Sequence, residues 1–565
     1  MGDMYTNPPQ SRNEAILRAT IDGTEYTDPP QSRIEDLLIE LKQTIESGSV
    51  SSYNDLTDKP SINDVTLSGN KTSDDLHILQ GNVPYLLSDV SNVSIVADGT
   101  TITIAWTDPN DIMDGSTVVT AWAGTKVVRK AGSAPENVFD GTVVVDSKTK
   151  NQYASSGYAD ANLTAGTYYY RFFPYSENGV YTQGQYGSGT AEIPVYGAEW
   201  DGTSSQTWTR TDAAANFADP NPYYASMTDT PSSPFDNISP WKDMEIVEDA
   251  SAGSLVKIPK FYYKLTKNGD AMKLQISMDQ KEGFSCSPAH MDRGDGNGER
   301  DIIYVGRYHC ATTTYKSTTG VAPINNITRA TARTSIHNLG SNVWQFDYAT
   351  FWTIAMLYLV EYANWNEQTK IGYGGGDNSP SSIKNNGQTD SMPYHTGTVA
   401  QTRDAFGCVQ YRHIENMWSN LYTYYDGLYS KSTSLGGMPE YFAIKNPSEF
   451  SDTTGGVSLG RAADSNTTSS NICIINYSIP QVIGYEYMIM PIGKKQTFSN
   501  DEYIGDTMNY PAYASNESPA YSVLFGGMHY GQLLQYGLFR VTQGRNYNTG
   551  SVDTGCRLMK LQNNS

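Results

Sequence analysis

The spacing of hydrophobic positions changes character several times along the chain. Near the start, Ile34, Leu37, Leu38, Leu41 and Ile45 form a stripe at helical spacing, and Ser32 with Glu35 three residues on supplies a capping box. From Val93 to Ile193 the period becomes two. Val93 alternates with Ile95, and Ile102, Ile104 and Trp106 follow the same rhythm. Val118-Val119 and Val127-Val128 predict a strand pair, and Tyr168 to Tyr175 a last strong strand. Turn dipeptides at Asp98-Gly99, Asp114-Gly115, Asp140-Gly141, Ala165-Gly166 and Asn178-Gly179 separate these runs, which predicts a β-sandwich over 88–196. Beyond residue 197 periodicity weakens. Val256 to Lys264 reads as one strand, a helix opens at Thr328 and stops at Gly340, and a second runs from about Asp347 to Tyr362. In that second helix Trp352, Ala355, Met356, Leu359 and Val360 share one face. Two helices among short strands and long Gly/Asn/Ser loops predict an α+β region rich in display loops.

Length and composition narrow the possible functions. At 565 residues the chain exceeds a single core, so an array of modules is expected. A net charge of −21 repels phosphate backbones and anionic lipid, which argues against nucleic-acid partners, and no stretch approaches the ~18 consecutive apolar residues a spanning helix needs, so no membrane insertion is expected. Tyr is the dominant aromatic, with 41 residues against 15 Phe and 9 Trp, and 50 Gly accompany them; this is a β- and loop-rich composition with an adhesive surface. Five Cys without CxxC pairs read as buried thiols. The first residues carry neither a basic n-region nor an apolar h-region, so synthesis in a cytoplasm is expected, with any route outward avoiding a signal peptide.

The first fifty residues contain a duplication, Tyr5-Thr6-Asn7-Pro8-Pro9-Gln10-Ser11-Arg12 recurring as Tyr26-Thr27-Asp28-Pro29-Pro30-Gln31-Ser32-Arg33. A short helix with nothing local to pack on suggests self-association or docking to a larger particle. Residues 53–78 are too polar for their own core yet too patterned for a linker. Their Tyr53-Asn54-Asp55-Leu56…Lys59-Pro60-Ser61-Ile62-Asn63-Asp64-Val65…Gly69-Asn70-Lys71-Thr72 run resembles a segment recurrent in tail fibres and baseplate-associated proteins of tailed bacteriophages, with Asp64 where Gly is usual. The resemblance implies a fibrous, homotrimeric shaft. Trp106 on an early strand and the Tyr-rich late strand are similar to those of a fibronectin type III domain, which implies a spacer.

Two stretches near the C-terminus carry a further resemblance. Gln410 to Tyr422, with Glu415-Asn416-Met417-Trp418-Ser419-Asn420 at its centre, and the ending Gly555-Cys556-Arg557-Leu558 resemble signatures of formylglycine-generating-enzyme-like C-type lectin folds, Ser419 standing where Gly is usual. Between them, Gly526-Gly527…Gly537-Leu538-Phe539 resembles the variable region of target proteins of diversity-generating retroelements. The resemblance implies that the glycines permit tight turns, that Leu538 and Phe539 anchor the core, and that the residues between face a ligand. The expected ligand-binding set is Met528, His529, Tyr530, Gln532, Leu533, Leu534, Gln535, Tyr536, Arg540, Thr542, Gln543, Arg545, Asn546 and Tyr547. Substitution at adenines of Asn codons cannot yield Met528, Gln532, Gln535 or Gln543, which counts against active diversification.

Chemistry was sought elsewhere in the chain. The oxidase relatives use a close cysteine pair near the end of the domain, whereas here Cys556 is the one Cys of the terminal region. The histidines at 77, 290, 309, 337, 395, 413 and 529 are isolated from one another, so no facial metal site is expected, and His413 reads as a packing residue. Asp292 to Asp301 crowds oxygen ligands in a Gly-rich loop, a chemistry suited to Ca²⁺, but its spacing fails the EF-hand pattern. No GxSxG, HExxH or Walker loop occurs. No catalytic residue and no cofactor are therefore expected, with Ca²⁺ as the alternative at that loop.

The expected fold is mainly β with an α+β head. The order is an N-terminal helical and extended attachment segment (1–50), a short trimerising shaft (51–87), a fibronectin III-like sandwich (88–196) and a C-type lectin fold head (197–565) with display loops at 526–549. The resemblances imply a virion tail-tip protein whose partners are tail or baseplate proteins and a glycan or protein receptor on the host bacterium. Two rival readings remain: a tail-borne polysaccharide depolymerase with a carboxylate pair in 197–525, and a structural fibre protein without receptor contact.

Overall fold

The computed structural model describes residues 61–62, 65–67, 86–202, 205–375, 383–432, 439–461, 472–494, 507–508, 520–527 and 537–562. The duplicated N-terminal segment and most of the shaft segment lie outside these residues. Within the shaft, Ser61–Ile62 pairs antiparallel with Val65–Thr66. The fold is mainly β, and the chain divides into two compact units between Ile193 and Pro194.

The first unit is a sandwich of two antiparallel sheets. One has the order Ser91–Asp98, Thr101–Thr107, Tyr158–Asp160; the other has Gln185–Ala191, Gly166–Ser176, Trp122–Ala131, Thr142–Ser147. Alternation along Thr101–Thr107 sends Ile102, Ile104 and Trp106 inward, where they meet Val127, Tyr170 and Phe172 in one buried cluster. Two expectations need correction. The Val118-Val119 run does not pair with Val127-Val128, because the turn at Asp114-Gly115 folds Thr117–Thr120 back on Ile112–Asp114 as a separate hairpin. Nor is the Tyr-rich strand the last one. Gln185–Ala191 follows it, and its hydrophobic signal is missing because Gly187 and Gly189 lie directly under Ile95 and Ile102, where a Cβ would come within 2.8 and 3.1 Å of those side chains.

The second unit is built around a helix. Thr328 caps α1 (Arg329–His337) through its hydroxyl, and Asp347 caps α2 (Tyr348–Tyr362) by accepting from the Thr350 N–H at 2.8 Å. The sequence predicts one apolar face for α2, yet all of its residues are buried. The reason is its position: it packs against Val195–Trp200 and Ala271–Ser277 of one sheet and against Tyr422–Ser432 of another, so no side meets solvent. Another correction concerns Val256 to Lys264. Pro259 ends a strand begun at Gly253, Phe261 is buried, and a new strand, Tyr262–Asn268, enters a different sheet.

The closing strand, Leu558–Leu561, inserts between Ile302–Gly306 and Val343–Gln345. It thereby completes a five-stranded sheet whose other members are Glu245–Asp249 and Gly253–Pro259. The Tyr422–Ser432 strand lies at the centre of a further sheet between Glu440–Ala443 and Ala520–Gly526, and the latter continues to Val541–Asn546.

Candidate display surface

Residues 412–420 form a tightly turned, buried stretch. Arg412, His413, Asn416 and Asn420 all have left-handed backbone, with φ of 41, 70, 57 and 69°. Asn420 holds Lys384 in both directions, accepting from its N–H at 2.8 Å and donating to its carbonyl at 2.9 Å. Trp418 is fully buried and donates to the Gly372 carbonyl, while the Ser419 hydroxyl accepts from the Gly375 N–H at 3.0 Å. The stretch is thus scaffold. Arg557, also fully buried, reaches it from the closing strand: Nη2 donates to the Glu415 carbonyl at 2.5 Å and Nη1 to the Gly306 and Arg307 carbonyls at 2.6 and 2.9 Å. One guanidinium thus ties the sequence signature at 410–422 to the terminal one.

Above this scaffold sits the frame of the expected display region. Gly526 has no room for a side chain, since a Cβ would lie 2.4 Å from the Arg540 carbonyl oxygen and 2.5 Å from the Tyr425 ring. Gly527 has φ of +79°, and its backbone presses on the Met417 carbonyl. On the other side Leu538 and Phe539 are fully buried, and Phe539 meets Trp365 at 4.9 Å between ring centroids. Glu367 Oε1 accepts from the Leu538 N–H at 2.8 Å. Both ends of the segment 528–536 are therefore held by the core.

Of the expected ligand-binding residues, Met528, His529, Tyr530, Gln532, Leu533, Leu534, Gln535 and Tyr536 lie outside the described residues. Thr542, Gln543 and Arg545 belong to the Val541–Asn546 strand, with Thr542 opposite Phe525 and Arg545 opposite Val523; their side chains lie outside the description. Asn546 is half-buried opposite Ser522, and Tyr547 is half-buried at the strand's exit. Arg540 corrects the expectation. It is 2% exposed, with its guanidinium 5.2 Å from the Tyr422 ring centroid, because it follows the buried Leu538-Phe539 pair directly and turns inward with it. Arg540 is part of the packing.

The structure brings forward residues that the sequence reading missed. Apart from the main core, the Tyr422–Ser432 sheet carries a small separate cluster of Tyr422, Tyr424, Val523 and Phe525, with Tyr547 against it. Ring contacts run on from Tyr547 to Tyr521 (6.1 Å between centroids), Tyr429 (6.3 Å) and Phe442 (5.2 Å, stacked), the last three of which belong to or pack on the main core. Lys431 Nζ stands 5.8 Å from the Tyr521 ring centroid. Tyr521, Tyr547 and Phe442 remain half-buried, so this row ends in open rings with a cation beside them. Burial, then the neighbouring Tyr521, raise the Tyr429 hydroxyl pKa, and the hydroxyl donates a hydrogen bond to the Gly455 carbonyl at 2.6 Å. The signal in the sequence was alternation: Tyr521, Val523 and Phe525 on one strand, Tyr429 and Lys431 on the next.

A buried polar network, also unforeseen, lies elsewhere in the unit. Arg412 grips both oxygens of Glu361, through Nε at 2.8 Å and Nη2 at 2.6 Å, and Asp236 links Arg412 to His395 at 2.9 Å. Glu361 was the one carboxylate in an otherwise apolar helix, which is the mark of a buried partner. His413 packs beside His395, and burial followed by that neighbour lowers its pKa to about 4. In the Asp292 to Asp301 loop, Arg300 pairs with Asp295, Arg293 with Asp347, and Lys260 with Asp301 at 2.7 Å. Among the described residues, no group of three or more His, Cys, Asp or Glu is placed to hold a metal ion. No described helix is long and apolar enough to cross a membrane.

No protein-family model matches the chain, and no curated protein matches it in sequence.

Proposed function

We propose that the chain is a receptor-binding protein of a phage or prophage tail tip, acting by adhesion without bond chemistry. The observation that carries this reading is the frame around 528–536: both of its ends are fixed in the core, and beside it an aromatic row ends in the half-buried Tyr521, Tyr547 and Phe442 with Lys431 alongside. A segment whose two ends are fixed in the core suits recognition, because binding residues are commonly carried on loops held by a rigid scaffold. Open tyrosine rings offer contact area at small entropic cost, and their hydroxyls bond sugar or peptide polar groups.

The finer architecture fits the same reading. A three-stranded sheet facing a four-stranded one around Trp106 and Tyr170 supports a fibronectin III-like spacer. The closing strand seated beside Ile302–Gly306, the two helices and the Arg557 tie support a C-type lectin fold for the second unit. The tail-fibre-like segment supports a homotrimer attached to tail or baseplate proteins, and three heads would turn weak contacts into avidity.

Adsorption of the purified full-length chain to a panel of intact bacterial strains tests the proposal. Saturable binding to some strains and not to others is expected; binding equal on every strain, or absent from all, overturns it.

A further inference from the structure

The four cysteine side chains that the structure describes are buried free thiols, and two of them meet. Cys310 follows the Ile302–Gly306 strand, and Cys556 stands immediately before Arg557 and the closing strand. The Cys310 N–H donates to the Cys556 carbonyl at 2.8 Å, and the Cys310 thiol is the largest influence on that of Cys556. Both side chains are fully buried in one apolar cluster with Leu255, Ile336, Val343 and Leu558. That single backbone bond sets the two residues at about the spacing of neighbouring strands, roughly 5 Å, within the range of Cα separations that a disulfide spans. By contrast, Cys286 and Cys408 lie outside this cluster.

We propose that Cys310 and Cys556 are an oxidation site at which a disulfide staples the closing strand into the second unit. The oxidant is a low-molecular-weight disulfide such as glutathione disulfide. One cysteine sulfur, as thiolate, attacks that disulfide and releases one thiolate leaving group. The second sulfur then attacks the mixed disulfide and releases the other. Two protein S–H bonds and one small-molecule S–S bond are replaced by one protein S–S bond and two small-molecule thiols, which carry off both protons.

Burial controls when this happens. The hydrogen bond from Cys310 and then burial raise the pKa of the Cys556 thiol, so the closed pair is protonated and unreactive. Exchange therefore needs the closing strand to open, as it does during folding or in partial denaturation. Once formed, the bond is sealed by the same apolar cluster, and it encloses the whole chain from 311 to 555, including both ends of the display frame. A link across so long a segment removes much of the freedom of the opened state.

The test uses full-length chain held with glutathione disulfide in mildly denaturing urea, returned to buffer and compared with reduced chain. Non-reducing peptide mapping should give a peptide pair joining Cys310 to Cys556, lighter by two hydrogens, and the unfolding midpoint of the second unit should rise by about 5 °C or more. Because Cys310→Ser or Cys556→Ser places a hydroxyl in an apolar cluster and so weakens folding by itself, the Cys286→Ser/Cys408→Ser/Cys473→Ser variant is run alongside and must still form the link. Glutathione adducts without the link, or a link that leaves the midpoint unchanged, overturns the proposal.

Discussion

Arg557 donates through Nη2 to the carbonyl of Glu415 at 2.5 Å, across 142 positions of sequence. The same guanidinium bonds the Gly306 and Arg307 carbonyls, so three separate segments converge on one buried cation. Burial, as the largest influence, holds its pKa at about 10, still well above neutrality, so the charge persists. Arg557→Met would leave these carbonyls without their donor. It should lower the stability of the second unit by roughly 3 kcal/mol or more, read from urea unfolding. Arg557→Lys should restore less than half of this loss, because an ammonium cannot span the same fork; full rescue by Lys would contradict the account.

The charge network beneath the Tyr422–Ser432 strand makes a contrast that can be measured. Arg333 grips Asp426 at 2.6 and 2.8 Å, and Arg329 binds Asp452 at 2.9 Å as well as the Tyr425 and Leu428 carbonyls, all of them buried or nearly so. Asp452 also accepts from Arg333 Nη2 at 2.5 Å, so Asp452→Ala should cost about 3 kcal/mol by leaving two guanidinium groups with Asp426 as their single carboxylate. Lys150→Ala breaks the exposed 3.5 Å pair with Asp111 in the first unit, leaving the Asp111 bond to the Trp122 N–H in place, and should cost no more than about 1 kcal/mol. Equal costs would refute the distinction.

Gly526→Ala is expected to distort the display frame, since the new methyl meets a backbone carbonyl and a buried ring that cannot both retreat. A loss of about 1–3 kcal/mol follows from overpacking of this kind. Near-ultraviolet circular dichroism, which reports on the packed tyrosines, should change with it. An unchanged spectrum and midpoint would show that the frame is looser than described.

Acid should weaken the second unit partly through His290. Burial lowers its pKa to about 4, with Ser287 Oγ at 2.7 Å from Nδ1 and the Ile258 carbonyl at 3.0 Å from Nε2. Between about pH 6.5 and 4 the unfolded chain binds a proton that the folded chain refuses, so stability is complete above that window and falls as pH drops through it. The full shift amounts to about 3 kcal/mol. His290→Gln should lose correspondingly less urea resistance than wild type between pH 7.5 and 4.5; identical losses would remove His290 from the explanation.

The parts of this architecture that were legible in the sequence are those in which one local rule acts alone. Ile102, Ile104 and Trp106 alternate because one sheet face is buried, and the caps Thr328 and Asp347 mark helices because their side chains bond the first turn. Gln185–Ala191 was hidden, since glycines chosen for close approach carry no hydrophobic period. Pro259 split one apparent strand between two sheets, an outcome decided by tertiary packing. In the site, Leu538 and Phe539 were readable as anchors. Arg540 was not, because a cation over a buried ring has the same letter as a cation facing a ligand. The Arg412–Glu361 grip joins residues far apart in sequence, and only the lone carboxylate in an apolar helix hinted at it.

The central claim is that recognition resides in the segment framed by Gly527 and Gly537. Its most direct test is adsorption of Tyr530→Ala/Tyr536→Ala chain to a strain that wild type binds, with oligomeric state and unfolding midpoint measured on both. The account predicts at least a tenfold loss of adsorption (about 1.4 kcal/mol) with the midpoint and assembly unchanged. Wild-type adsorption by the variant would contradict it and assign recognition to another surface.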